Sequence, residues 1–280
     1  MTLFIYFLNH MSWFVLRIIA MVTMLTDHIG WNFIDDPMLL TWIWRIAFPC
    51  YAFLLAEWFF FVFKDRKRLL KHVSTLIMLA IISEPCYDLL EFGPNVLSSF
   101  MDSQSIMFTL ILGFLWMSLT ELLIPTNDNE NNKVDWKIIM VLACTYFLIG
   151  FTNYKMAANF NFVWPLLIIA YYRYLRCSRN EWKTGNIWNW PKRFLALIWI
   201  FLIYLPIYFW VRCWFWDFSA WLDSVGNYLP WIWGHIVAAF ILSLSNCKLW
   251  YHAKWFKYLY TFFYPLHALI IWIILVILGS

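Results

Sequence analysis

The chain reads as an all-α protein, a polytopic bundle of about nine transmembrane helices with a cytoplasmic N-terminus. Three observations carry this reading. Of the 280 residues, 64% are hydrophobic and 13% charged, whereas a soluble domain is about 45–50% apolar and about 25% charged. Apolar runs close to the ~20 residues that a membrane helix requires recur from end to end. Basic residues gather in every second connection between those runs, as the positive-inside rule expects.

Taken in order, the runs cover 12–33, 37–63, 69–90, 105–124, 136–151, 161–173, 194–215, 228–244 and 255–277, the sixth being the shortest. The second is followed by "KDRKRLLK", with Lys64, Arg66, Lys67, Arg68 and Lys71. Lys133 and Lys137 follow the fourth. Arg173, Arg176, Arg179, Lys183, Lys192 and Arg193 follow the sixth, and Lys248, Lys254 and Lys257 the eighth. The remaining connections carry Lys155 and Arg212 at most. This alternation puts the N-terminus inside and the C-terminus outside. With eight glycines, ten prolines and no evident repeat, residues 1–280 form one membrane domain. The net charge of +4 belongs to these loops, so no nucleic-acid partner is implied; the expected partner is the lipid bilayer. "MTLFIYFLNH" lacks the basic region and cleavage site of a secretory signal, and is expected to stay in the mature chain. The six cysteines are scattered without a CxxC or Cys/His spacing, so packing is their expected role and no metal is expected.

Against this background the charged residues inside the runs stand out, because each costs about 2.5–3.5 kcal/mol at the centre of a span. They are Arg17, Asp27, His28, Arg45, Glu57, Glu84, Asp88 and His267. Each also has a plain explanation. Arg17 lies near the inner end and can snorkel. Asp88 can mark the outer end of its run, and Asp27 with Arg45 can form a structural ion pair. His28 has a richer neighbourhood, since eleven residues return a helix to within about 20° and align it with Met24, Met21 and Arg17. One stripe then leads from an inner cation to an outer imidazole, a wall suited to an elongated anionic ligand. Asp27, about 100° away, is expected to face another helix. In "WRIAFPCYAFLLAEW", Pro49 is expected to bend the second span between Arg45 and Glu57, which lie roughly 18 Å apart along the axis. Pro85 is expected to break the third span beside Glu84 and Asp88, and Pro265 accompanies His267 in the last.

Together these residues resemble the TraX-type membrane acetyltransferases. The ordered series is Asp27-His28-Ile29-Gly30, Arg45-Ile46-Ala47-Phe48-Pro49, Glu57, the basic loop, Ser83, Pro85 and Asp88, Phe108-Thr109-Leu110 with Gly113, and Tyr264-Pro265-Leu266-His267. The resemblance runs from 12 to 277 and is weakest over 125–255. It departs from the family pattern at Trp44 and Trp58, where glycine is usual, and at "NYKMAAN", where a Tyr-Gly pair is usual.

The resemblance implies an acyltransferase of the cytoplasmic (inner) membrane. It would move acetyl from cytoplasmic acetyl-coenzyme A to the α-amine of an exported or membrane peptide, such as a pilin-like protein. It implies His28 as general base, with Arg45 and Asp27 holding the site and polarising the acetyl carbonyl. Glu57 and His267 would line the passage of the pantetheine arm, Asp88 would receive the acceptor amine, and Thr109 would lie beside that route. Arg17, Lys64, Arg66, Lys67, Arg68, Lys254 and Lys257 would bind the coenzyme's phosphates. Two alternatives stay open: an O-acyltransferase acting on a sugar or lipid hydroxyl, and a transporter or assembly factor without enzymatic activity.

Overall fold

A computed structural model describes residues 12–34, 43, 45–93, 105–123, 163–178, 189–215, 229–245 and 254–279. The described residues are all-helical. Eight helices follow in order: α1 (Trp13–Phe33), α2 (Ala47–Val62), α3 (Arg66–Phe92), α4 (Ile106–Leu123), α5 (Val163–Cys177), α6 (Trp190–Phe215), α7 (Leu229–Ser243) and α8 (Lys254–Leu278). They fall on eight of the nine expected spans; the fifth, 136–151, lies outside the described residues, as does most of 35–44.

Three helices, over Trp13–Phe33, Arg66–Phe92 and Trp255–Leu278, are long and apolar enough to cross a membrane. At about 1.5 Å per residue, twenty residues span roughly the 30 Å of a hydrocarbon core. The outward surfaces agree, since Ile81, Trp199, Ile203, Ile270 and Ile277 are largely exposed. Apolar exposure of this extent marks a surface that meets lipid or a partner protein, and helices of membrane-crossing length decide for lipid. This is a membrane protein.

α2 is the central helix, with Ala52, Phe53, Ala56 and Phe59 fully buried. Phe53 meets Tyr171 edge-on at 5.7 Å, and Phe59 meets Tyr172 at 5.0 Å, which seats α5 along α2. On α4, a side chain at Gly113 would collide with Ile168, so the absence of one lets α4 and α5 approach closely. α3 begins where Asp65 accepts a hydrogen bond from the Arg68 amide at 3.2 Å, an N-cap that starts the helix inside the basic stretch.

One proline expectation needs correction, the break at Pro85. α2 begins at Ala47 after a turn at 45–46, so the second span is interrupted just ahead of Pro49, which sits in the first turn of α2, where an amide proton is dispensable. α3 runs unbroken through Pro85. Pro265 likewise lies within α8, and its missing N–H leaves the Thr261 carbonyl without its usual helical donor.

α1 and α8 run parallel. Phe14 packs on Phe256 at 4.5 Å, the Arg17 guanidinium lies 4.8 Å over the Tyr260 ring, and His28 meets His267 at 4.8 Å. Both helices advance in the same direction through these three contacts. α3 packs broadly on α8, and its own basic start lies at the same end as Arg17 and Lys257.

Candidate functional site

α1, α2, α3, α4 and α8 enclose a cavity of about 480 Å³. Its character changes along its length. At one end stand Arg17, Arg68, Lys71, His72 and Lys257; the middle is walled by Leu54, Leu55, Leu76 and Leu79; Met24, Ile106 and Tyr264 reach farthest from the cations. Helical periodicity explains the basic face, because Arg68, Lys71, His72, Thr75, Leu76 and Leu79 follow the three- and four-residue spacing of one stripe. Trp58 stacks flat on His72 with centroids 3.5 Å apart, which puts an aromatic platform beside the cations. Tyr51 stacks on Tyr260 at 6.0 Å, and Tyr260 in turn carries the Arg17 guanidinium, a cation–π contact.

One helical turn beyond Met24 and Tyr264 lie His28 and His267. Their rings meet edge to face, 4.8 Å between centroids and 71° between planes. His267 is buried, lies flat against Phe263 at 4.8 Å, and holds its Nδ1 2.8 Å from the Phe263 carbonyl oxygen. Asp27 is also buried and accepts a hydrogen bond from the Trp31 indole, with the Arg45 guanidinium within electrostatic reach. Arg45 is positioned by a feature invisible in the motif: a side chain at Gly234 of α7 would collide with the Arg45 Cβ and backbone, so only a glycine lets α7 close on this turn.

The far end of α3 contributes carboxylates. Glu84 accepts a hydrogen bond from the Ser105 amide, at the start of α4, at 3.1 Å. Asp88, one turn on, is fully buried. Among the described residues, no hydrogen-bond partner is found for either Asp88 oxygen, for Glu84 Oε1, for Asp27 Oδ1 or for His267 Nε2. Buried polar atoms usually have partners, so groups left this open are candidates to meet an incoming polar ligand.

The structure thus brings His28 and His267 together, with Asp27 and Arg45 on the adjoining side. It brings Arg17, Arg68 and Lys257 to one cavity mouth. Lys64, Arg66 and Lys67 are exposed and do not line the cavity. Lys254 opens α8, and its side chain lies outside the described residues. Glu57 is buried on the α2 face shared with Phe53, turned from the cavity wall formed by Tyr51, Leu54, Leu55 and Trp58. Thr109 is buried on α4 beside the lining residues Met107 and Leu110, without lining the cavity itself. Neither His28 nor His267 lines the cavity. Sequence reasoning missed His72, the Trp58 platform, Tyr260 and Gly234. The α3 stripe was the one available signal, and it is readable only once the helix start at Asp65 is known. Among the described residues no group of three or more His, Cys, Asp or Glu side chains is suited to hold a metal ion.

Neither the curated proteins nor the solved structures yield a match to this chain. A protein family does, the TraX protein family, and the match covers residues 12–275. Nearly the whole described bundle lies within it, from the start of α1 to the last turn of α8, including both histidines and the cavity between the two ends. The chain belongs to the TraX family, a membership that points to a conjugation-related, pilin-associated membrane protein.

Proposed function

We propose that the protein is an acetyl-coenzyme A-dependent acetyltransferase of the cytoplasmic membrane. It moves acetyl to the α-amine of an exported or membrane peptide of the pilin-like kind. One observation carries this reading. The cavity has cations and an aromatic platform at one end, an apolar middle, and a histidine pair one turn past the other end. A coenzyme A thioester has the same order of chemistry: phosphates and adenine, an uncharged pantetheine arm, then the reactive carbonyl.

The basic end faces the cytoplasm in this reading, and the chain crosses the membrane nine times. An odd number of crossings puts the starts of the first and last helices on one side. The parallel course of α1 and α8 supports that count.

Arg17, Arg68, Lys71 and Lys257 hold the phosphates. The acceptor arrives from the opposite side as a cation, and the Glu84 and Asp88 carboxylates receive it. An α-amine has a reference pKa of about 7.7–8.0, so its neutral form is available near neutral pH. As the amine nitrogen attacks the acetyl carbonyl, neutral His28 removes its proton. Arg45, steadied by Asp27, stabilises the developing oxyanion.

Isothermal titration of the detergent-purified protein with acetyl-coenzyme A tests the donor site, and saturable binding is expected. Incubation with acetyl-coenzyme A and a pilin-like peptide bearing a free α-amine is expected to add one acetyl group, read by mass spectrometry. The same peptide with a blocked α-amine is expected to stay unmodified. Absence of coenzyme binding would favour a transporter or assembly factor, and modification of a hydroxyl acceptor alone would favour the O-acyltransferase.

A further inference from the structure

The cavity stops short of the histidine pair. From its basic end to its floor, three helices of one direction each advance seven residues: Arg17 to Met24 on α1, His72 to Leu79 on α3, and Lys257 to Tyr264 on α8. At about 1.5 Å per residue, that depth is roughly 10 Å. His28 stands eleven residues from Arg17, roughly 16 Å along the same axis. A coenzyme A thioester is longer than the cavity. About fourteen bonds separate its phosphorus from the acyl carbon, nearly five residues' worth of extended chain, or roughly 15–17 Å. Held by the cations, it carries the acyl carbon past the floor to the level of His28.

Three buried side chains reach deepest in that floor: Met24, Ile106 and Tyr264. Two of them are fixed. The Tyr264 hydroxyl accepts a hydrogen bond from the Ile106 amide, and its ring lies edge-on to His267 at 5.6 Å. Ile106 is β-branched and stiff at χ1. Met24 is unbranched and adapts its shape to what it meets. Helix side chains lean toward the start of their helix, so Met24 leans into the cavity from one turn short of His28. We infer that Met24 is the acyl gate of the donor site. The arriving thioester turns it aside, and the room this frees sets which acyl groups reach His28. The inference rests on the acetyltransferase reading of the cavity. It makes acetyl the preferred acyl group, because every further methylene must share that room with the methionine. Met24 determines specificity and takes no part in bond making.

The test uses the full chain purified in detergent, with acetyl-, propionyl- and butyryl-coenzyme A as donors to one peptide bearing a free α-amine. One methylene in an apolar pocket is worth about 10- to 200-fold in specificity, so the natural protein is expected to favour acetyl over propionyl by that factor in kcat/KM. Met24→Ala is expected to lower this preference at least about 10-fold, through a gain in propionyl and butyryl transfer. If the alanine variant is too unstable to purify, Met24→Val takes its place. Leu54→Ala opens space in the middle of the cavity, where only the pantetheine arm lies, and is expected to change all three donors alike. Calorimetry supplies a readout independent of turnover: butyryl-coenzyme A is expected to gain affinity relative to acetyl-coenzyme A in the Met24 variant. An unchanged acyl preference in that variant, the same shift in Leu54→Ala, or equal use of all three donors by the natural protein would each overturn the gate and leave acetyl transfer standing. Failure of the natural protein to bind or use any acyl-coenzyme A would overturn the acetyltransferase reading, and the gate with it.

Discussion

Two buried polar clusters in this protein are built on opposite plans. Between α4 and α5, Glu121, Tyr172 and Arg176 answer one another completely: the Tyr172 hydroxyl donates to Glu121 Oε1, Arg176 Nη1 donates to Tyr172 at 2.9 Å, and the guanidinium and carboxylate form an ion pair. Arg193, almost fully buried at the start of α6, donates from Nη1 to the Ser245 carbonyl at 2.9 Å beyond the end of α7, which ties α6 to α7. At the far end of the cavity, Asp27, Glu84, Asp88 and His267 each keep at least one buried polar atom without a hydrogen-bond partner among the described residues. An unsatisfied buried group lowers stability, whereas a closed network fixes the helices that contribute to it. The closed cluster fastens the bundle, and the open groups are candidates to meet a ligand.

The largest consequence belongs to the open cluster. His28→Gln keeps polarity and approximate size, and it is expected to lower acetyl transfer by about 10²–10⁴ in turnover. Tm in detergent and acetyl-coenzyme A affinity are expected to stay near native. Comparable turnover in the variant would abolish the contrast at its chemical end.

The closed cluster is expected to behave in reverse. Arg176→Met strands Glu121 as a buried carboxylate, and removal of one partner from a buried pair commonly destabilises by about 3–5 kcal/mol. Thermal unfolding is expected to shift downward accordingly, while protein that remains folded keeps its kcat and its KM for acetyl-coenzyme A. A selective loss of turnover without loss of stability would show that this cluster too serves chemistry.

How far sequence reasoning reached follows the same division. Asp27, His28 and His267 were legible because an ionisable group inside an apolar run is costly and therefore conspicuous. Spans one, three and nine were legible from their length and composition. The paired cluster was not: Arg176 read as part of a basic connection, and nothing in local periodicity pairs Glu121 with Tyr172, 51 positions away. The contact of His28 with His267 was hidden for the same reason. Pro85 misled for another reason, since a proline inside a helix need not break it where packing holds the helix together.

Gly234 links the two plans, because α7 belongs to the fastened part of the bundle while Arg45 faces the open cluster. Gly234→Ala forces a methyl group against the Arg45 backbone. Overpacking of this kind costs about 1–3 kcal/mol. A moderate fall in Tm is expected, joined by reduced kcat as Arg45 shifts. Lowered stability with native kcat would separate Arg45 from the chemistry.

The smallest effects are expected at the cavity mouth, where charges are exposed and water already solvates them. Arg68 is ion-paired with Asp65 at 3.1 Å on the surface, and exposed pairs and contacts of this sort contribute about 0.2–1 kcal/mol, or roughly 1.4- to 5-fold in affinity. Arg68→Ala, Lys71→Ala and Lys257→Ala are each expected to weaken acetyl-coenzyme A binding by that factor. The differences should shrink as salt is raised from about 0.01 M to 1 M, across which the Debye length falls from roughly 30 to 3 Å. Arg66→Ala and Lys67→Ala supply the internal comparison: they remove the same charge from the same stretch, but both side chains lie off the cavity. Calorimetry is expected to find them near native affinity. Equal weakening by all five would mean that the coenzyme senses only the net charge of this face, and the stripe of α3 residues along the cavity would lose its role in recognition.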